Sequence, residues 1–78
     1  MEKVLSDLKK GEKGYIHEIN VDEIPLKLLE MGCLPGNFIE LIQIAPFGDP
    51  IYFNINDSHV AIRKETAKEI IVTVVTTV

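Results

Sequence analysis

Turn-forming residues divide this chain of 78 residues into short segments. Glycine, proline, asparagine and aspartate recur between runs rich in isoleucine, valine, threonine and aromatic residues, a pattern typical of strands joined by tight turns. The clearest run is residues 51–55: apolar side chains at every second position would point to one face of a sheet, and the side chains between them would point to the other face. The sequence therefore predicts a mainly β domain.

Five strands are expected, near residues 15–19, 38–45, 51–56, 59–62 and 70–78, with one helical turn at 64–68. In the second of these strands, Glu40 and Gln43 fall on opposite faces, so we expect a bend or bulge between them. A short turn capped by Ser6 should point Leu5 and Leu8 at the core. Five short strands with tight connections suggest a small, partly open barrel that forms one domain over residues 1–78.

One short helix is predicted after the first strand, capped by Asp22 and ending at Met31. Its apolar residues form two stripes on opposite sides: one holds Ile24, Leu28 and Met31, and the other holds Leu26 and Leu29.

Behind this helix, the sequence predicts a rigid corner. Gly32 suits the left-handed residue that follows a helix, and Pro35-Gly36 fits the centre of a type II turn.

The second apolar stripe has two interpretations. A helix that is apolar on both sides is usually buried, so Leu26 and Leu29 could be covered by the N-terminal turn or by the barrel end. Alternatively, the helix and its exit form an exposed patch for a protein partner. The residues predicted to bind a partner in this second case are Leu26, Leu29, Met31 and Leu34.

Charge, cysteine content and hydropathy restrict the classes of partner and the location expected for this protein. The net charge is −4 and the eight basic residues are scattered, so we expect no nucleic-acid partner. Cys33 is the single cysteine, which excludes an internal disulfide and fits a reducing compartment such as the cytoplasm. The N-terminus lacks the apolar core of a signal peptide and no apolar run is long enough to span a membrane, so a soluble, unprocessed protein is expected.

Neither a metal site nor an active site is predicted. His17, His59 and Cys33 are far apart in sequence and lack the ligand spacing of a structural zinc site. Asp49 and Asp57 lie in predicted turns, where aspartate commonly caps the backbone. Gly11 and Gly14 precede a strand, whereas phosphate-binding glycines lie between a strand and a helix. We expect no enzymatic activity, cofactor or metal.

Three segments, LKLLEMGCLPG, IAPFGDPIYFNI and HVAIRKETAKEI, resemble in order and spacing the FeoA family, the small ferrous iron transport protein A of prokaryotes. The resemblance covers about residues 5–74. Two positions depart from the family pattern: Lys27 stands where arginine is expected, and Cys33 where leucine is expected.

The resemblance implies an SH3-like barrel with a helix after the first strand. It also implies a cytosolic accessory or regulatory protein that binds FeoB, the membrane ferrous iron transporter with a GTPase domain. Because the same barrel occurs in metal-dependent repressors of the diphtheria toxin repressor type, a regulatory domain is the alternative. A homo-oligomeric module is a further alternative, because no charge follows Glu69 to discourage pairing through the last strand.

Overall fold

A computed structural model describes residues 1–75 of the chain. The strands are β1 (Glu2–Val4), β2 (Lys13–Ile19), β3 (Phe38–Ile44), β4 (Ile51–Ile55), β5 (Ser58–Ile62) and β6 (Ile70–Val74), and the helices are α1 (Leu26–Glu30) and α2 (Lys64–Ala67). Two single 3-10 turns cover Leu5–Asp7 and Val21–Glu23. The prediction of a mainly β domain with one short helix after the first long strand is confirmed.

All strands of the described part form one antiparallel sheet in the order β1-β6-β2-β3-β4-β5. The sheet has six strands where the sequence predicted five, because Glu2–Val4 pairs with Ile71–Thr73 of β6. This segment is too short and too polar to be predicted as a strand from its sequence. It becomes a strand because it pairs with the side of β6 that does not pair with β2. Strands β1 and β5 are the two end strands of the sheet among residues 1–75, so the barrel is open. This agrees with the predicted partly open barrel.

A single apolar core lies inside the curved sheet, and it includes the inward positions of every long strand. The bulge predicted in β3 occurs between Leu41 and Gln43. Leu5 and Leu8 are buried as predicted, although no side-chain hydrogen bond caps the turn beside Ser6. The buried apolar residues are Leu5, Leu8, Ile16, Ile24, Cys33, Ile39, Leu41, Ile51, Phe53, Ile55, Val60, Ile62, Ala67, Ile70, Val72 and Val74.

The helix boundary differs from the prediction. Asp22 lies in the 3-10 turn and caps nothing, and α1 begins only at Leu26, directly after Pro25. The extended backbone of Ile24, which is buried, separates the turn from the helix. Tertiary burial of Ile24 therefore decides the boundary, because an uninterrupted helix from Glu23 would place this side chain differently.

The last strand is not the free edge that the sequence suggested. Within the described residues, β6 pairs with β1 on one side and with β2 on the other, so the prediction that copies associate through its edge is wrong for Ile70–Val74. Residues 76–78, which completed the predicted strand, lie outside the described part. No helix among residues 1–75 is long and apolar enough to cross a membrane.

Candidate interaction surface

The corner between α1 and β3 is held by a dense set of hydrogen bonds. The Cys33 N–H donates to the Leu28 carbonyl at 3.0 Å and so closes the helix end. Asn37 donates from Nδ2 to the Gly32 carbonyl at 2.7 Å, from a half-buried position. Gly32 has a φ of +102°, so the predicted helix stop is confirmed. The chain leaves the helix in one fixed direction.

The type II turn predicted at Pro35-Gly36 is confirmed as well. Gly36 has a φ of +93°, which an L-residue rarely adopts, and the Asn37 N–H donates to the Leu34 carbonyl at 3.2 Å. The Gly36 N–H in turn donates to the Ile16 carbonyl at 2.7 Å, which attaches the turn to β2. The corner is thus fastened to the sheet by backbone hydrogen bonds as well as by packing.

The four predicted partner-binding residues divide into two pairs at this corner. Leu26 is 69% exposed and Leu34 is 43% exposed, so both present apolar surface to solvent. Leu29 and Met31 are only partly buried and pack against the core. Each of the two interpretations of the second stripe therefore applies to part of it: Leu29 supports the domain, while Leu26 contacts little of it.

Histidine and cysteine side chains lie apart in the structure. Cys33 is fully buried, and burial raises the pKa of its thiol to about 11, which keeps it protonated near neutral pH. His17 lies on β2, where its Nε2 is 3.2 Å from a Glu2 carboxylate oxygen, and His59 is exposed on β5. Among residues 1–75, no three His, Cys, Asp or Glu side chains form a group that could hold a metal ion.

The two predicted turn aspartates have structural roles. Asp49 accepts a hydrogen bond from the Lys64 N–H at 2.8 Å and so tethers the β3–β4 loop to the start of α2. Asp57 has a φ of +70° and, with Asn56, forms the two-residue turn between β4 and β5.

A second apolar surface was not identified from the sequence. Phe47, at the tip of the β3–β4 loop, is fully exposed, and Ile42 and Tyr52 are each about two-fifths exposed on the outer face of β3 and β4. Together with His59 and Ala61 of β5, the latter two line a shallow groove of about 290 Å³. The alternation of residues 51–55 assigns Tyr52 to the outer face, but it does not indicate which neighbours join it there.

Fold and surface together define a small SH3-like β domain with two apolar surfaces outside its core. The chain belongs to the FeoA family, because the family model described as the FeoA domain matches residues 3–74. The resemblance of the three sequence segments to this family is thereby confirmed.

A curated relative links this domain to a transporter in one polypeptide. The Fe(2+) transport protein A/Fe(2+) transporter FeoB fusion protein of Porphyromonas gingivalis (strain ATCC BAA-308 / W83) is 37% identical over 67 residues, which is 85% of this chain. The matched region is only 8% of the relative's own length.

Solved structures agree on the fold. An iron uptake regulatory protein, FeoA, matches with a TM-score of 0.82 at 31% identity, over 96% of this chain and 99% of that chain. FeoA of Stenotrophomonas maltophilia, described as an SH3 domain protein and solved with zinc, matches with a TM-score of 0.75 at 22% identity, over 91% and 89% of the two chains. T. acidophilum IdeR matches with a TM-score of 0.80 at 23% identity, over 94% of this chain and 34% of that chain. The latter two likenesses show the fold alone.

Proposed function

We propose that this protein is a cytoplasmic accessory protein of ferrous iron uptake that binds the cytosolic part of a FeoB-type membrane transporter and has no enzymatic activity of its own. The observation that carries the proposal is the relative in which a matching domain and the transporter share one chain. A covalent link keeps two domains at a high effective concentration, so a matching domain that is fused to a transporter can contact it even through a weak interface; without such a link, a stable contact surface is needed.

The corner formed by α1 and the Pro35-Gly36 turn supplies such a surface. Leu26 and Leu34 are exposed apolar side chains on a backbone that is fixed by hydrogen bonds, so little conformational entropy is lost when they are covered. Leu29 and Met31 are partly buried, pack against the core and contribute their exposed edges. We therefore propose Leu26 and Leu34 as anchors, with Leu29 and Met31 as the packed base of the same partner-binding surface.

A substitution at Leu26 tests this surface with little risk to the fold. Because this side chain is mostly exposed, Leu26→Gln should change the free energy of unfolding by no more than about 0.5 kcal/mol. Loss of an interface anchor should nevertheless weaken partner binding by about 1–3 kcal/mol. Leu29→Gln, by contrast, should destabilise the domain, because Leu29 packs against the core.

The experiment is a binding titration of the full chain with the transporter's soluble GTPase domain and, separately, with its terminal segments. Leu34→Gln and Ile44→Gln form a matched pair, because Leu34 is 43% and Ile44 is 42% exposed, but only Leu34 belongs to the corner. Circular dichroism checks that each variant is folded. Weaker binding by Leu26→Gln and Leu34→Gln, with Ile44→Gln unchanged, is the expected result.

Two results would separate the parts of the proposal. If all folded variants bind like the wild type, the transporter is a partner but the corner is not its contact surface. If the wild type binds none of the transporter segments, the proposed function itself fails. The repressor-type regulatory domain remains the alternative on the basis of fold only, since the likeness to IdeR is below 25% identity.

A further inference from the structure

Strand β5 presents a free outer edge. It pairs with β4 on one side and ends the sheet on the other, and the hydrogen bonds found among residues 1–75 give its backbone no partner beyond the β4 ladder. Natural proteins usually protect such an edge with charges, proline or a bulge. Residues 58–62 contain no proline and no aspartate, glutamate, lysine or arginine. Their register with β4 is uninterrupted, so this strand has no bulge either.

The turn before β5 fixes which backbone groups face outward. Asn56 and Asp57 both have positive φ, at 47° and 70°, which is the signature of a two-residue type I′ hairpin. In such a hairpin the residues that flank the turn form a hydrogen-bonded pair, and bonded and non-bonded pairs then alternate along the ladder. Ser58, Val60 and Ile62 therefore bond to β4, whereas the N–H and C=O groups of His59 and Ala61 point away from the sheet.

Charges of opposite sign flank this edge symmetrically. Asp57 lies three residues before Val60 and Arg63 lies three residues after it, and both are exposed. If two copies of β5 pair antiparallel about Val60, His59 of each copy lies opposite Ala61 of the other, which aligns the outward backbone groups for mutual hydrogen bonds. The same register places Asp57 opposite Arg63 twice, once on each side of the twofold axis.

We propose that β5 is a dimerisation edge, at which two copies of this chain pair antiparallel about Val60 and Asp57 of each copy faces Arg63 of the other. The hydrogen-bonding phase requires outward residues to lie opposite each other, and among the registers that satisfy it the charge pattern selects the one about Val60. This proposal does not depend on the transporter as a partner.

The dimer also extends the outer groove. Ala61 and Tyr52 line the groove on the face of the sheet that carries His59. In the proposed register, His59 of the second copy stands beside Ala61, so its ring adds a wall to the open side of the groove. Each copy thus shields part of the other copy's apolar groove from water. This burial should stabilise the dimer in addition to the backbone hydrogen bonds and the ion pairs.

A charge exchange tests the register. Sedimentation equilibrium of the full chain up to millimolar concentration should show a monomer–dimer equilibrium. Arg63→Asp places two carboxylates together at both ends of the interface and should weaken dimerisation about tenfold, given the usual strength of exposed ion pairs. The double variant Asp57→Arg/Arg63→Asp restores opposite charges and should recover most of the affinity. Lys10→Asp, with the same change in net charge at an exposed site away from β5, is the control.

Amide exchange measured by NMR tests the edge itself. As protein concentration rises, the amides of His59 and Ala61 should become slower to exchange, whereas Val60, already bonded to β4, should not depend on concentration. Ala61→Pro removes one outward donor without touching the β4 ladder and should abolish the dimer while leaving the monomer folded.

Four outcomes would overturn the proposal. They are a protein that stays monomeric at millimolar concentration, a dimer unaffected by Ala61→Pro, a double variant no stronger than Arg63→Asp, and protection of His59 and Ala61 that arises only when an extended peptide from another protein is added. The last outcome would assign the edge to a different occupant.

Discussion

Gly14 allows β2 and β6 to approach each other, and Gly14→Ala should be among the most destabilising single-methyl additions in this chain. A Cβ atom built at Gly14 would lie 2.1 Å from the Thr73 carbonyl oxygen and 2.9 Å from the Thr73 carbonyl carbon. Ordinary van der Waals contact for such atoms begins near 3.4 Å, so the strands would have to separate by about 1 Å. The atoms in the way belong to the main chain of β6, an interior strand, and unlike a side chain they cannot rotate aside.

The cost can be set against the stability of the whole domain. Overpacking a well-filled site costs about 1–3 kcal/mol, and this clash with main chain belongs at or above the upper end of that range. A domain of 78 residues has a free energy of unfolding of about 4–12 kcal/mol. Gly14→Ala should therefore remove a quarter or more of the stability. If the domain lies at the low end, about 1 kcal/mol remains, and roughly one molecule in six is unfolded without denaturant.

Gly11→Ala is the matched control, because it is the same chemical change three residues earlier. A Cβ at Gly11 meets nothing within 4 Å, but the φ of +87° disfavours an L-residue by about 1–2 kcal/mol. Urea unfolding followed by circular dichroism gives both values. If Gly14→Ala costs no more than Gly11→Ala, the close approach of β2 to β6 does not limit residue 14, and the reasoning is refuted.

Three further predictions follow from single sites. Asp57→Gly should raise the free energy of unfolding by about 0.4–1 kcal/mol at low protein concentration, because Asn-Gly suits the type I′ turn better; a lower urea midpoint would contradict this. The pKa of Glu12 is lowered in the folded state, chiefly by the hydrogen bond from the Lys9 N–H and next by Lys3, so its contribution to stability is present above the unfolded pKa of about 4.5 and is lost as the pH falls through the folded pKa. Glu12→Gln should thus flatten the fall in stability below about pH 4.5 in acid-unfolding curves, and an unchanged slope would count against it. Cys33, buried and with its pKa raised to about 11, should react with iodoacetamide at pH 8 only after unfolding in urea; fast labelling of native protein would show that the corner opens.

Several structural features of this protein follow from the preferences of residues close together in sequence. The alternation of Ile51, Phe53 and Ile55, the stop at Gly32 and the turn at Pro35-Gly36 follow from side-chain period and from the φ preferences of single residues, so they could be predicted without the fold. The bulge in β3 followed from two polar residues whose spacing does not fit a regular strand. The family resemblance also lies in such local signals, in order along the chain.

Only the tertiary structure decided which surfaces remain free. Glu2–Val4 became a strand because β6 offered an unpaired side, which turned the expected sheet edge at Ile70–Val74 into an interior strand and left β5 as the edge. Packing likewise separated Leu29 from Leu26, although both belong to the same helical stripe. Pairing and burial depend on contacts between residues distant in sequence, and neither hydrophobic period nor turn propensity carries that information.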